Sequence, residues 1–204
     1  MVDIKINIDK LIKKFLPKLL KAIEIDYSIG SVVSIVNAKK QGVKTNMNPL
    51  SLTKKQQQTN VDIIETLIKD VNSNIAKQIN YVVNKGITEN WDTKMVSNAL
   101  KELPIQETYK NRFKTIATTE SFRIMNTSSY NTAKRLGAKE KWIYNVIDRK
   151  TGDDSMISHA KYGSEDKSIP IDEPFEYDYK GKTRTFMLPP DRSNDRGQVV
   201  FKFE

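Results

Sequence analysis

The chain has 204 residues, 38% of them apolar, no cysteine and one histidine, and it carries a formal net charge of +9 with a pI near 9.5. The missing thiols exclude disulfides, Cys-ligated zinc, iron–sulfur clusters and cysteine nucleophiles. The length suits one large or two small domains, and the positive balance favours polyanionic partners without conferring sequence specificity.

Taken in chain order, residues 7–26 show helical periodicity. Ile8, Leu11, Ile12, Phe15, Leu16, Leu19, Leu20 and Ile23 share a stripe, with Lys10, Lys13, Lys14, Lys18 and Lys21 elsewhere. Pro17 predicts a kink or break in it. A basic amphipathic helix can lie on a membrane surface, but burial is the preferred reading. The lysines also break up any signal-peptide core, and no stretch reaches the roughly 18–20 apolar residues of a membrane span. The expected origin is therefore a soluble product made in the cytoplasm.

Residues 31–36 fit either helix or a short buried strand, and Asn46 to Pro49 reads as a connection. A helix capped by Ser51 or Thr53 follows, with the stripe Val61, Ile64, Leu67, Ile68, Val71, Ile75, Ile79, Val82 and Val83, and Gly86 as its stop. Asp92 caps a third helix that Pro104 ends. A fourth spans about 106–136 and stops at Gly137, with a bend expected at Asn126-Thr127-Ser128-Ser129. Beyond Gly137 the pattern turns to strands: Trp142 to Ile147, a hairpin of Phe175–Tyr179 and Thr183–Leu188 around Lys180-Gly181-Lys182, and Gln198 to Phe203. Residues 148–173 read as loop, and no internal repeat is evident. The expected fold class is α+β: a helical region at 1–104, then a small α+β module at 105–204 with a short antiparallel sheet.

The positive charge is concentrated. Residues 105–149 hold nine Lys/Arg against four Asp/Glu, whereas residues 150–204 hold nine against eleven. If the excess meets DNA, the contacts fall on phosphates, through Lys110, Arg112, Lys114, Arg123, Lys134, Arg135, Lys139 and Lys141. The bland alternative is a solubilising lysine-rich surface. Phosphate-binding glycine loops and helix-turn-helix, zinc-finger and RNA-recognition signatures are absent.

Several residues invite a catalytic reading. Glu120 can be a catalytic carboxylate or can tie down a loop, and His159 can be a base, a metal ligand or a hydrogen-bonding residue. In both cases the structural role is preferred: no acid pairs with Glu120, and Asp153 and Asp154 lie at no diagnostic metal spacing from His159. Glu120, Arg149, His159 and Arg196 together could serve a small nuclease or toxin module acting on nucleic acid, which stands as the alternative reading. No metal or cofactor is expected.

The ordered series in residues 86–204 resembles the phage head-morphogenesis or minor head protein family (Mu protein F-like). It comprises Arg112 and Ala117-Thr118-Thr119-Glu120, then Asp148-Arg149-Lys150-Thr151-Gly152, then His159 and Gly163, then Pro189-Pro190 and Asn194-Asp195-Arg196-Gly197. The family pattern has Arg where Thr118 stands and Cys at Gly152, Asp195 and Gly197, so every cysteine is lost together. The resemblance implies a non-enzymatic virion protein in few copies at the portal vertex or inner capsid wall. Its role would be head assembly or genome delivery. The implied partners are portal protein, major capsid or scaffold protein and double-stranded DNA, with membrane association not expected and homo-oligomerisation open. It also implies that Thr119, Glu120, Asp148, Arg149, Thr151, His159, Pro189, Pro190 and Arg196 hold loops rather than react.

Overall fold

The computed structural model describes residues 8–145, 147–148, 151–191 and 195–203, without the side chains of 8–12, 14, 15, 106, 108–110 and 113. Its elements are helices α1 (Ile8–Lys40), α2 (Lys54–Thr88), α3 (Thr93–Glu102) and α4 (Ile105–Arg135), strand β1 (Glu140–Tyr144), helix α5 (Asp153–Tyr162), and strands β2 (Ile169–Pro170), β3 (Phe175–Tyr179), β4 (Lys182–Phe186) and β5 (Gln198–Lys202). A helical front thus precedes a small α+β part with antiparallel sheets. No described helix is long and apolar enough to cross a membrane.

The units are not divided at residue 104. One comprises residues 1–20 and 54–116, the other 21–53 and 117–204. The expected boundary fails because α1 and α4 each continue from one unit into the other. Segment 21–53 contributes to the core of the sheet-bearing unit, and the helical region ends only within α4.

In the first unit, Val71, Ile75 and Ile116 form a core with Leu19, Leu67, Ile79 and Ile105 around it. The expected stripe of α2 is buried or half-buried along its length. Gly86 does not stop α2. The helix runs to Thr88, and the left-handed residue after it is Asn90, with φ 53°. Gly86 instead gives room to α3: a Cβ there would lie 2.7 Å from a Val96 methyl. Asp92 caps α3 as expected, its carboxylate accepting from the Met95 amide at 2.8 Å. Pro17 lies inside α1 without breaking it. The missing hydrogen bond and ring clash cost about 3 kcal/mol in a helix interior, an amount a long packed helix can offset.

The second unit is organised on two helices that run side by side in the same direction. Asp26 accepts from the Ser121 hydroxyl at 2.6 Å, and Ser34 meets Ser129 at 2.8 Å, each pair separated by 95 residues. Gly30 faces Met125 at the same offset, where a Cβ would sit 2.2 Å from the Met125 carbonyl oxygen. Ala38 and Ala133, again 95 apart, are fully buried in one core. Both helices end alike. Gly42 and Gly137 take φ 86° and 85°, and the amides of Val43 and Ala138 return to the carbonyls of Ala38 and Ala133 at 3.0 Å. The match is visible in the chain once aligned: Ser34, Ala38, Lys39, Gly42 and Lys44 recur as Ser129, Ala133, Lys134, Gly137 and Lys139. The two helix ends thus share residue types as well as geometry.

This close approach fits two local outcomes. Residues 31–36, which read as either helix or strand, are helical, and Asn126 to Ser129 lie within α4. Their small polar side chains form the seam: Ser31, Ser34, Ser128, Ser129 and Thr132 are all buried. The Ser31 hydroxyl accepts from Thr132 and from the Leu50 amide, both at 2.8 Å, and so pins the connection out of α1.

Above this pair lies a three-stranded antiparallel sheet in the order β2-β1-β5 and a separate β3-β4 hairpin turning at Lys180 and Gly181, both at positive φ. The core contains Ala38, Ala133, Ile143, Tyr162, Phe175, Val199, Phe201 and Phe203. The segment expected to be loop contains α5. Its buried positions are Asp154, Ser155, Ser158 and Tyr162, so the face that packs is mostly polar and leaves no apolar stripe to detect.

Candidate functional site

Asn126, on α4, is buried and uses its whole amide. Its nitrogen donates to the carbonyls of Pro189 (2.8 Å) and Gly197 (2.9 Å), and its oxygen accepts from the Val199 amide at 2.9 Å. One side chain thus fastens the closing segment 189–197 and the start of β5 to the helix that carries Thr119 and Glu120. From α1, the Asn37 and Gln41 amides donate to the Phe201 carbonyl at 3.0 and 2.8 Å, and the Phe203 amide donates back to Gln41 at 2.8 Å. β1 covers only one side of β5, and these three amides stand along the other. Unpaired backbone groups there would cost about 1–3 kcal/mol each if buried.

The closing loop is held by carboxylates where the resembled pattern has thiols. Asp195 is buried and accepts from the Gly197 amide at 2.9 Å and from the Asp191 amide at 3.1 Å, a local turn typical of Asp. Gly197 has little room for a side chain, since a Cβ would meet Asn145 Oδ1 at 2.9 Å. Arg196 reaches the turn after β1, donating to both Asp148 carboxylate oxygens at 3.1 and 3.2 Å. That turn is closed by Thr151, whose hydroxyl accepts from the Asp148 amide at 2.8 Å. Pro189, joined to Pro190 by a cis peptide, is fully buried. Nearby, Arg184 on β4 bridges Asp154 of α5 (3.6 Å) and Asp191 (3.3 Å), and Tyr177 donates to Asp191.

The remaining motif residues differ in how they are held. Glu120 is buried and accepts from Arg123 at 2.6 Å, one helical turn on. Thr119 is half-buried on the same helix. The His159 ring lies against Gly163, where a Cβ would come within 2.4 Å of Nδ1, so glycine there makes room for the imidazole. His159 Nδ1 is buried without a hydrogen-bond partner. Arg149 lies outside the described residues, as does the Lys110 side chain. Among the described residues no group of three or more His, Asp or Glu side chains is placed to hold a metal ion.

The basic footprint is smaller than expected. Lys141 is not a surface lysine: its exposure is 0%, because alternation along β1 turns it toward the core with Ile143. Its ammonium donates to the Met187 carbonyl at 3.0 Å and lies 4.9 Å from the Phe175 ring centre and 5.6 Å from that of Tyr130. Burial pushes its pKa down to about 8. Arg123 is paired with Glu120, and Lys134 with Asp172. Arg112, Lys114, Arg135 and Lys139 are exposed. Asn37 and Gln41 were not singled out from the sequence, Asn126 stood there only as part of an expected bend, and Asp195 only as a departure from the resembled pattern. Only Asp195 left a readable sign, an Asp two residues before a Gly.

Two measurements follow. In urea unfolding, Asn126→Ala should cost roughly 3 kcal/mol or more, since it orphans three backbone groups, whereas Arg196→Ala should cost under about 1 kcal/mol because its ion pair is exposed. Equal losses would show that the clasp is not centred on Asn126. The second concerns pH. The folded chain releases the Lys141 proton near pH 8, whereas the unfolded chain keeps it to about pH 10.4. Between those values the unfolded state binds more protons, so stability rises with pH. The unfolding free energy of the wild type relative to Lys141→Met should therefore grow by roughly 2–3 kcal/mol from about pH 7.5 to about pH 10.5. A difference that stays flat would contradict the burial of this lysine.

Comparison with protein-family models, with curated protein sequences and with solved structures returned no match to this chain, so its functional reading rests on the residues themselves.

Proposed function

We propose that the chain is a structural minor head protein of a tailed virus or provirus, acting in head assembly or genome delivery at the portal or inner capsid wall. The observation that carries the reading is the state of the ordered motif residues. Asp148, Thr151 and Arg196 close two loops on each other, Asp195 braces the second loop, and the helix bearing Glu120 holds it through Asn126. Such a set suits an architectural role, as the motif resemblance implies. The nuclease alternative gains no specific support, because Glu120 and Arg196 are each committed to an ion pair.

Contact with DNA, in this reading, is to phosphates and rests on Arg112, Lys114, Arg135 and Lys139; Lys134 is exposed as well but is paired with Asp172. Lys141 has no part in it.

Particles purified from an induced culture should contain the chain in few copies by quantitative mass spectrometry. Particles that assemble and infect without it, and never contain it, would end the proposal. Separately, the purified protein should bind random duplex DNA with steep salt dependence. The double variant Arg135→Glu/Lys139→Glu should lower affinity about tenfold or more and reduce the salt slope by about 2, while Lys141→Met changes neither. Equal effects of the two variants would remove the DNA half of the proposal.

A further inference from the structure

Within the second unit α1 is apolar on both sides. Ile23, Tyr27, Ile35 and Ala38 are buried, yet Ile25, Ile29, Val32, Val33 and Val36 are between 41% and 53% exposed. A surface helix ordinarily turns polar residues outward, and a contiguous exposed apolar row marks a place of association. The spacing here is specific. Positions 25, 29, 32 and 36 step by 4, 3 and 4, the seam along which one helix packs on another. Beside the row lies a groove of about 340 Å³, lined by Val32, Val33, Val36 and Lys40 of α1 and by Val199 and Val200 of β5.

We propose that this face receives an amphipathic helix of a partner protein, one whose apolar row is flanked by carboxylates. A helix is favoured over an added strand because Asn126, Asn37 and Gln41 already stand on the outer edge of β5, where a strand would have to pair. The carboxylates follow from charge. The row continues into exposed lysines at both ends, Lys21 before Ile25 and Lys39 and Lys40 after Val36. The helix's own acids lie off the row: Asp26 is bonded to Ser121, and Glu24 sits about a quarter turn round. A second copy of the chain would set lysines against lysines in either orientation, so the occupant is a different, acidic helix. The inference stands whether or not the partner belongs to a virus particle.

The test is selection of a displayed library of single-helix peptides on the full chain, with counter-selection on the exposed-site variant Val33→Asp, whose folding is checked by thermal melt. The expected winners carry apolar residues at 4-3-4 spacing with Asp or Glu alongside. They should bind at least tenfold more weakly to Val33→Asp and also to Lys39→Glu/Lys40→Glu. Three results would each overturn the proposal: no enrichment over the counter-selected variant, winners that lack helical spacing or carry lysine flanks, or a self-associated dimer in sedimentation that Val33→Asp dissolves.

Discussion

The outer edge of β5 is the constraint on which the sheet-bearing unit depends. A strand paired on one side presents alternating carbonyls and amides on the other, and buried groups of that kind need partners. This chain supplies them from side chains. A carboxamide has two donors and an acceptor, so a single Asn or Gln can answer a carbonyl and a nearby amide together. Asn126 does so at Gly197 and Val199, and Gln41 does so at Phe201 and Phe203. The helices thereby occupy the place of a fourth strand, and the edge is closed to casual strand pairing.

That solution sets a demand on α1 and α4. Amides at the two ends of β5 come from two helices, Asn126 on α4 and Asn37 and Gln41 on α1, so the two helices must keep a fixed alignment. The 95-residue register provides it: the helices run together through Asp26–Ser121, Gly30–Met125 and Ser34–Ser129 and stop with the same glycine turn. Close approach requires small side chains along the seam. The polar run at 126–129, unpromising as isolated helix, is therefore well suited to this one, since tertiary packing outweighs intrinsic propensity. Lys141 shows the converse. Its β1 position is dictated by alternation, and its charge is accommodated by a carbonyl and two aromatic faces rather than by a carboxylate.

Much of the architecture was legible in the sequence because apolar periodicity and glycine stops report it directly. The α2 stripe, the Asp92 cap, the Gly137 stop and the β3-β4 hairpin all left such signals. What escaped was carried by polar burial. The α5 helix packs Asp154, Ser155 and Ser158 inward, so its period is invisible to hydropathy. Asn126 and Gln41 resemble any surface amide until the strand they serve is in place. Lys141 failed as a DNA contact for the same reason: residue type reports charge, whereas strand parity decides exposure. The unit boundary was misplaced because long helices shared by two units show no break in composition.

Where the resembled pattern has cysteines, this chain holds its closing loop by other means. A metal or thiol staple concentrates the hold on a loop in one cross-link, which requires all its ligands at once. Here the hold on residues 189–197 is distributed. Asp195 shapes the loop locally, Arg196 ties it to the β1 turn at an exposed site worth little by itself, and Asn126 secures both its ends from within the core. Gly197 then follows as a consequence: with Asn145 and Asp195 crowding the position, a thiol has neither a ligand set to join nor space to occupy. The closure thus depends on a buried amide that local sequence does not mark, while the motif residues that do stand out make the weaker contacts at its rim.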